Sequence, residues 1–344
     1  MSTAFPTPTR EERLATLRRR ARSIPLLLGG AALAPLALPV LLLAALAVDM
    51  VRDRSPKRLR TGLALFGLLE AHAVALLWGL GLALRERLDA DFDSVTAHRQ
   101  LLHWWVTTVH WLLFGVLGVE LEVRGDAALR RGPFLFFCRH ASIADTVLPV
   151  LLVTVPHRLW PRYVIKRELR ADAAIDLLGP RIGSVFVDRR GLDSAAEIAR
   201  VGSLADDLDP SSYVAIFPEG TRFSEGRRER LLARLEAAGE EERLAYARSL
   251  KATLPPRHGG PRAVIEGAPH ADVVFCAHAG FEQAHKLHHL FGGALVGQRV
   301  VVELWRVPAD EVPEGEAIRG WLDRWWTRID EWVCSHHEAC ASAR

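Results

Sequence analysis

Cysteine is scarce in this chain, with four residues in 344. None of Cys138, Cys276, Cys334 and Cys340 belongs to a C-x-x-C pair. That argues against a zinc ribbon and a thioredoxin-type redox site, and four cysteines in so long a chain are no disulfide framework. A reducing compartment is the simplest setting for any soluble part. An excess of charge of one sign is lacking too. Lys and Arg total 44 against 41 Asp and Glu, a net of +3. Nucleic acid is therefore not an expected partner. No internal repeat is evident. What is abundant is apolar: 49% of residues are hydrophobic and the mean hydropathy is +0.09. That excludes a disordered chain and exceeds what an ordinary soluble enzyme shows. At roughly 150 residues per domain the length allows two compact units, or one plus a membrane region.

Most of the apolar excess precedes residue 120. No charged residue occurs from Ile24 to Val48. As a helix that run spans about 37 Å, enough to cross a hydrocarbon core of about 30 Å. Arg18, Arg19, Arg20 and Arg22 precede it, and Ala45-Leu46-Ala47 resembles a cleavage site. The run is nevertheless longer than the 7–15 apolar residues of a signal peptide. Arg52, Arg54, Lys57, Arg58 and Arg60 follow it at once. A retained anchor is expected. A second apolar stretch runs from Gly62 to Leu84, broken by Glu70 and His72. Glu70 should face protein or water rather than lipid. Pro35 and Pro39 leave two topologies open: a re-entrant hairpin broken at the prolines, or a plain two-helix hairpin. A third stretch, Leu101 to Val119, carries Trp104, Trp105 and Trp111. It is expected at the interface or packed under the next domain.

After residue 120 the pattern changes to short apolar runs alternating with helical ones. Phe134–Cys138, Ser184–Val187, Tyr213–Phe217, Val273–Ala277 and Val300–Leu304 each read as a strand buried on both faces. Ser194–Leu208 and Glu225–Leu250 read as helices between them. This alternation predicts an α/β fold with a mostly parallel central sheet flanked by helices, preceded by an N-terminal helical membrane anchor. The expected division is residues 1–119 for the basic N-terminus and anchoring helices, and 120–344 for the α/β domain. Arg227 to Arg248 reads as a solvated amphipathic helix, with a surface helix on anionic lipid as the alternative.

Two constellations carry chemistry. His140 and Asp145 follow directly on the Phe134–Cys138 strand, in Arg139-His140-Ala141-Ser142-Ile143-Ala144-Asp145. A carboxylate on one imidazole nitrogen fixes the tautomer and makes the other nitrogen more basic, as deprotonating an alcohol requires. H-x4-D also arises by chance, and Ser142-x-x-Asp145 is equally a helix capping box. The second constellation, Phe217-Pro218-Glu219-Gly220-Thr221-Arg222, follows another buried strand. Its Gly turn exposes backbone N–H groups, and Arg222 offers a donor fork for phosphate. Glu219 at the end of an apolar strand is costly unless paired or functional.

Together these blocks resemble the glycerolipid acyltransferase family that includes 1-acylglycerol-3-phosphate acyltransferases. Gly183-Ser184-Val185-Phe186-Val187-Asp188-Arg189 resembles the family's middle block, and Lys166-Arg167-Glu168-Leu169 the K-x-E-L before it. The resemblance covers about residues 120 to 305. It departs at Arg139, where the family often has Asn, and in the fourth block, Val273–Ala277, which lacks proline. The segment after Arg222, then Leu254-Pro255-Pro256-Arg257-His258-Gly259-Gly260, is similar to a subgroup with an insertion after the third block, as are Trp321, Trp325 and Asp330. The resemblance implies His140 as general base on a glycerol hydroxyl, oriented by Asp145. It implies Arg189 and Arg222 on the acceptor phosphate, close backbone approach at Gly220, Thr221 beside it, and Glu219 ordering the arginines or binding the acceptor. The implied partners are membrane lipids, a lysophospholipid acceptor and acyl-CoA or acyl carrier protein as donor, with no metal and no cofactor. The Ala/Leu/Arg-rich composition suits a bacterial inner membrane, with the catalytic domain facing the cytoplasm.

Two rivals remain. His285-Lys286-Leu287-His288-His289 matches one histidine box of membrane di-iron lipid oxidoreductases. Such enzymes need several boxes, and His336-His337 is a poor second. A non-catalytic scaffold on the same fold would have no need of both His140 and Asp145. Cys138, inside an apolar strand, reads as a core residue rather than a nucleophile.

Overall fold

The computed structural model describes residues 9–52, 54–188, 194–284 and 287–342. Helix α1 (Arg10–Arg52) runs without a break through Pro25, Pro35 and Pro39. The re-entrant alternative is thereby corrected. Each proline removes one donor from the helical ladder, and the turns on either side carry the helix on. The chain turns back at Asp49, whose buried carboxylate accepts the Arg58 and Leu59 N–H groups at 3.0 and 2.9 Å. It also pairs with the Arg58 guanidinium at 3.0 Å. This caps α2 (Lys57–Leu88) and closes a two-helix hairpin. Both helices are long and apolar enough to cross a membrane. Leu26, Leu33, Leu36, Leu41 and Leu43 of α1 are 62–77% exposed, so α1 presents an apolar face that the described residues do not cover. On α2, Glu70 turns inward and its Oε1 is enclosed by protein.

The hairpin is tied both to the α/β part and to the segment that leads into it. Arg19 and Arg20 clamp the buried Asp176 at 2.7 and 2.8 Å, and Arg60 donates to the Val116 carbonyl at 2.6 Å. Helix α3 (Ser94–His110) continues as a π-turn over Trp111–Val116. It buries Val106, Val109, Leu113 and Leu117 against Phe134 and Phe136 of the sheet. Of the two settings expected for this stretch, packing under the next domain is the one observed.

Among the described residues seven strands form one sheet: β1 (Glu120–Arg124), β2 (Phe134–Cys138), β3 (Trp160–Lys166), β4 (Val185–Val187), β5 (Ser212–Ile216), β6 (Asp272–Ala279) and β7 (Arg299–Val307). Their order is β1-β7-β6-β2-β5-β3-β4. All neighbours are parallel except β6 and β7. Side chains alternate between two cores. Phe134, Phe136, Tyr213 and Val274 face α3. Leu135, Phe137, Val214 and Phe275 face α6 (Ala195–Gly202), α9 (Gly259–Gly267) and α11 (Ala317–Ser342). A strand sandwiched in this way must be apolar at every position, which is why these runs were legible. β1 and β3 escaped notice because Glu120, Glu122 and Arg124 dilute one and Pro161-Arg162 interrupts the other.

Short α4 (Val155–His157) and α5 (Ala173–Leu178) connect β2 to β4, and α10 (Leu287–Phe291) precedes β7. The helix expected over Glu225–Leu250 is two helices, α7 (Glu225–Ala237) and α8 (Glu241–Ser249). Gly239 separates them at φ +67°, the left-handed conformation that ends helices.

Candidate active site

Strand β2 delivers Arg139 and His140 to the carboxyl edge of the sheet. Phe137 pairs with Ile216 in the register of β5, so the turn that follows β5 starts beside His140. The Phe217 ring lies against the imidazole, centroids 4.5 Å apart. The Phe223 N–H donates to the His140 carbonyl at 2.6 Å, tying the far end of the turn to the same residue. Within the turn the Gly220 N–H donates to the Phe217 carbonyl at 2.9 Å, with Pro218 and Gly220 where such a turn favours them. Gly220 has φ +67°, a conformation glycine adopts without strain. Its N–H therefore closes the turn and is not an open anion donor.

Around His140 the geometry is tight. Its Nδ1–H donates to Asp145 Oδ1 at 2.8 Å. Asp145 Oδ2 accepts the Ala141 and Ser142 N–H groups, both at 2.6 Å. His140 and Asp145 are both buried. One carboxylate thus orders the backbone of the loop and orients the imidazole, so the capping and base-orienting readings of Asp145 coincide. His278, at the end of β6, donates from Nε2 to the Arg139 carbonyl at 3.0 Å and stands 3.5 Å from Asp145 Oδ2. Burial pushes the Asp145 carboxyl upward, but His140, His278 and the Ser142 N–H outweigh it and hold it below the ordinary range.

Glu219 is buried and accepts two backbone N–H groups, His140 at 2.8 Å and Leu254 at 3.0 Å. Burial nevertheless pushes its carboxyl up to about 8, against those two hydrogen bonds. Glu219 therefore joins the His140 loop to the segment closing the insertion. That segment is held twice more. Asp330 of α11 accepts the Lys251, Ala252 and Thr253 N–H groups at 2.8–3.1 Å. The fully buried Arg139 donates to the Ala252 carbonyl at 3.0 Å, to the His278 carbonyl at 2.7 Å and to Glu282. A conservative probe follows. Glu219→Gln sets an NH₂ against a backbone N–H, leaving one donor unpaired at about 1–3 kcal/mol. Because the Glu219 pKa is raised, the native state holds this proton more tightly than the unfolded chain does. Its contribution to stability falls as pH rises from about 4 towards 8. The Tm of the variant should thus lie below that of the native chain at pH 5, and the gap should narrow by pH 8.

His140 opens on an apolar cleft of about 310 Å³, walled by Trp105, Val150, Tyr163, Ile165, Val187 and Ile216. Lys166 and Leu169 of the K-x-E-L block also line it, while Arg167 pairs with Asp188 at 3.3 Å. Thr221 and Arg222 are half-buried just beyond the turn; the Arg222 carbonyl accepts from Arg227 Nη1 at 3.1 Å. Arg189 lies outside the described residues, as do His285 and Lys286 of the histidine box. His336 stacks on Trp332 at 3.9 Å. Among the described residues no group of three or more His, Cys, Asp or Glu side chains is placed to hold a metal ion. Burial raises the Cys138 thiol well above its ordinary range, so it is inert core.

Residues 120–269 match the family model described as acyltransferase. Over that stretch, a little under half of the chain, the sequence is similar to the acyltransferase family. The fold agrees. The crystal structure of the 1-acyl-sn-glycerophosphate (LPA) acyltransferase PlsC from Thermotoga maritima superposes with a TM-score of 0.51 at 15% identity. The match covers 80% of this chain and 97% of that one. At that identity it shows a shared fold. In this acyltransferase, sequence reasoning overlooked three residues at the site: His278 behind Asp145, Arg139 as a strut, and Arg257, whose N–H donates to the Pro218 carbonyl at 2.8 Å. A histidine ending an otherwise apolar strand was the available signal for the first.

Proposed function

We propose that this acyltransferase moves a fatty acyl group from an acyl thioester to the hydroxyl of a lysophospholipid, with 1-acylglycerol 3-phosphate as acceptor and phosphatidic acid as product. The observation that carries the reading is the buried Asp145–His140 pair opening on an apolar cleft. With Nδ1–H engaged by Asp145, Nε2 of His140 is the nitrogen left to accept the acceptor's hydroxyl proton. The resulting alkoxide attacks the thioester carbonyl directly. The tetrahedral adduct collapses, the C–S bond breaks, and the imidazolium returns its proton to the departing thiolate. No covalent enzyme intermediate forms. Acyl transfer of this type runs on the energy of the thioester and needs no cofactor.

In this reading the cleft holds an acyl chain, whose burial stabilises by about 0.8 kcal/mol per CH₂. Arg222 and Arg189 hold the acceptor phosphate, and Thr221 borders it. Glu219 and Gly220 serve by shaping the turn that carries them. Residues 1–119 anchor the protein and 120–344 carry the chemistry. Helices α1 and α2 keep the site at the membrane where both lipids reside. Basic Arg18–Arg22, clamped to the α/β part through Arg19 and Arg20, supports a cytoplasmic setting for that part.

The test uses purified full-length protein in mixed micelles with labelled 1-acylglycerol 3-phosphate and an acyl thioester. Labelled phosphatidic acid is the expected product. Acylation of lysophosphatidylcholine or lysophosphatidylethanolamine, with the phosphatidic acid precursor left untouched, would overturn the acceptor assignment.

A further inference from the structure

A second cavity, about 910 Å³, opens against the same turn and is lined by Glu219 and Thr221. The insertion builds most of it. Arg227, Arg230 and Arg234 of α7, Arg243 of α8, Arg257 of the closing segment and Arg319 of α11 line its wall. Arg227, Arg230 and Arg234 recur at spacings of three and four, one stripe of a helix. A merely solvated stripe balances its arginines with acids one turn away. The outward charges of this insertion do so: Arg228 pairs with Glu225 and Arg248 with Glu236. Arg243 of the cavity wall does so too, with Glu240, but three others there do not. Among the described residues no ion pair engages Arg230, Arg234 or Arg319. Of the three acids in the wall, Glu219 is engaged by two backbone N–H groups and Asp323 by His258 at 2.8 Å, which leaves Glu242 against six arginines.

This is more cationic charge, and more room, than one phosphomonoester needs, since one or two guanidinium forks suffice for a phosphate. It suits a ligand carrying several phosphates on a bulky body. Arg257 lines both this cavity and the apolar cleft that contains His140. A ligand seated among the arginines can therefore extend past Arg257 towards the imidazole. Of the thioester donors, coenzyme A has that form: a nucleotide bearing three phosphates, joined by a long arm to the reacting sulfur. We propose that the arginine-lined cavity of the insertion binds the phosphorylated nucleotide of a coenzyme A thioester, and so selects this donor over a carrier protein. The inference rests on the acyl-transfer reading for its thioester and on the arginines for everything else.

Binding, read without turnover, separates the two. Full-length protein in detergent is titrated calorimetrically with coenzyme A, adenosine 3′,5′-bisphosphate, glycerol 3-phosphate and inorganic phosphate. Coenzyme A and the bisphosphate should bind, more weakly as salt rises. Arg230→Ala, Arg234→Ala and Arg319→Ala should each weaken them by ~10-fold, the effect of one charge-assisted contact. The native preference for an acyl-CoA over the matching acyl-pantetheine thioester should fall by a similar factor. Coenzyme A binding that is absent, or equal in native and variant chains, would overturn the proposal. So would substitutions that weaken only glycerol 3-phosphate or phosphate, which would make the cavity a headgroup site. A chain that binds coenzyme A but forms no phosphatidic acid would fail the acceptor reading alone.

Discussion

His140→Ala is expected to lower kcat for acyl transfer by 10²–10⁴-fold, the usual worth of a positioned general base, with KM for the thioester nearly unchanged. The imidazole borders the cleft but supplies little of its apolar wall, so its loss leaves chain binding largely intact. What remains after truncation is proximity of hydroxyl and thioester in a shared site. Steady-state kinetics on native and variant protein of matched folding decide the matter. A native kcat in the alanine variant would remove His140 from the chemistry.

Asp145→Asn is expected to cost kcat nearly as much, about 10³–10⁴-fold, by imposing the wrong tautomer. Asp145 serves two backbone N–H groups with Oδ2 and the imidazole with Oδ1. An asparagine has one acceptor oxygen. With that oxygen on the Ala141 and Ser142 N–H groups, its NH₂ points at His140 Nδ1. The imidazole must then accept there and carry its proton on Nε2, where it cannot receive the alcohol's. The loss of a charge-assisted contact also costs roughly 1.5–3 kcal/mol of stability. Asp145 is held below the ordinary carboxylate range. Its contribution to stability is therefore present above about pH 4 and is lost as pH falls through the lowered value. A plot of Tm against pH should be flatter below pH 4 in the variant. Retention of more than a tenth of native kcat would show that tautomer control is not what Asp145 supplies.

Much of this protein was legible in its sequence because the relevant contacts are local. Five of the seven strands show as continuous apolar runs, since a strand between two cores has no polar face to break the pattern. His140 and Asp145 lie on one loop, five residues apart, so their meeting needs only a tight turn. The Phe217–Arg222 turn is dictated by Pro218 and Gly220, whose backbone preferences hold in any context. The apolar length of α1 and α2 likewise follows from composition alone. The rest depended on partners far along the chain. Glu219 was expected to order arginines or bind the acceptor, but its two hydrogen bonds go to His140 and Leu254, which only the adjacency of β2 and β5 and the return of the insertion bring within reach. Arg139 looked like a departure from a family pattern and is a strut joining β2, β6 and the insertion. His278 meets Asp145 only because β6 pairs with β2. The arginines of the insertion read as a solvated stripe until Gly239 folded α8 back on α7 and left a cavity between them and α11. A sequence dictates periodicity, turns and neighbours within a few residues, where backbone geometry alone sets distance. Which buried charge meets which distant backbone group is decided when the sheet assembles, because only packing removes the water that would otherwise satisfy each of them separately.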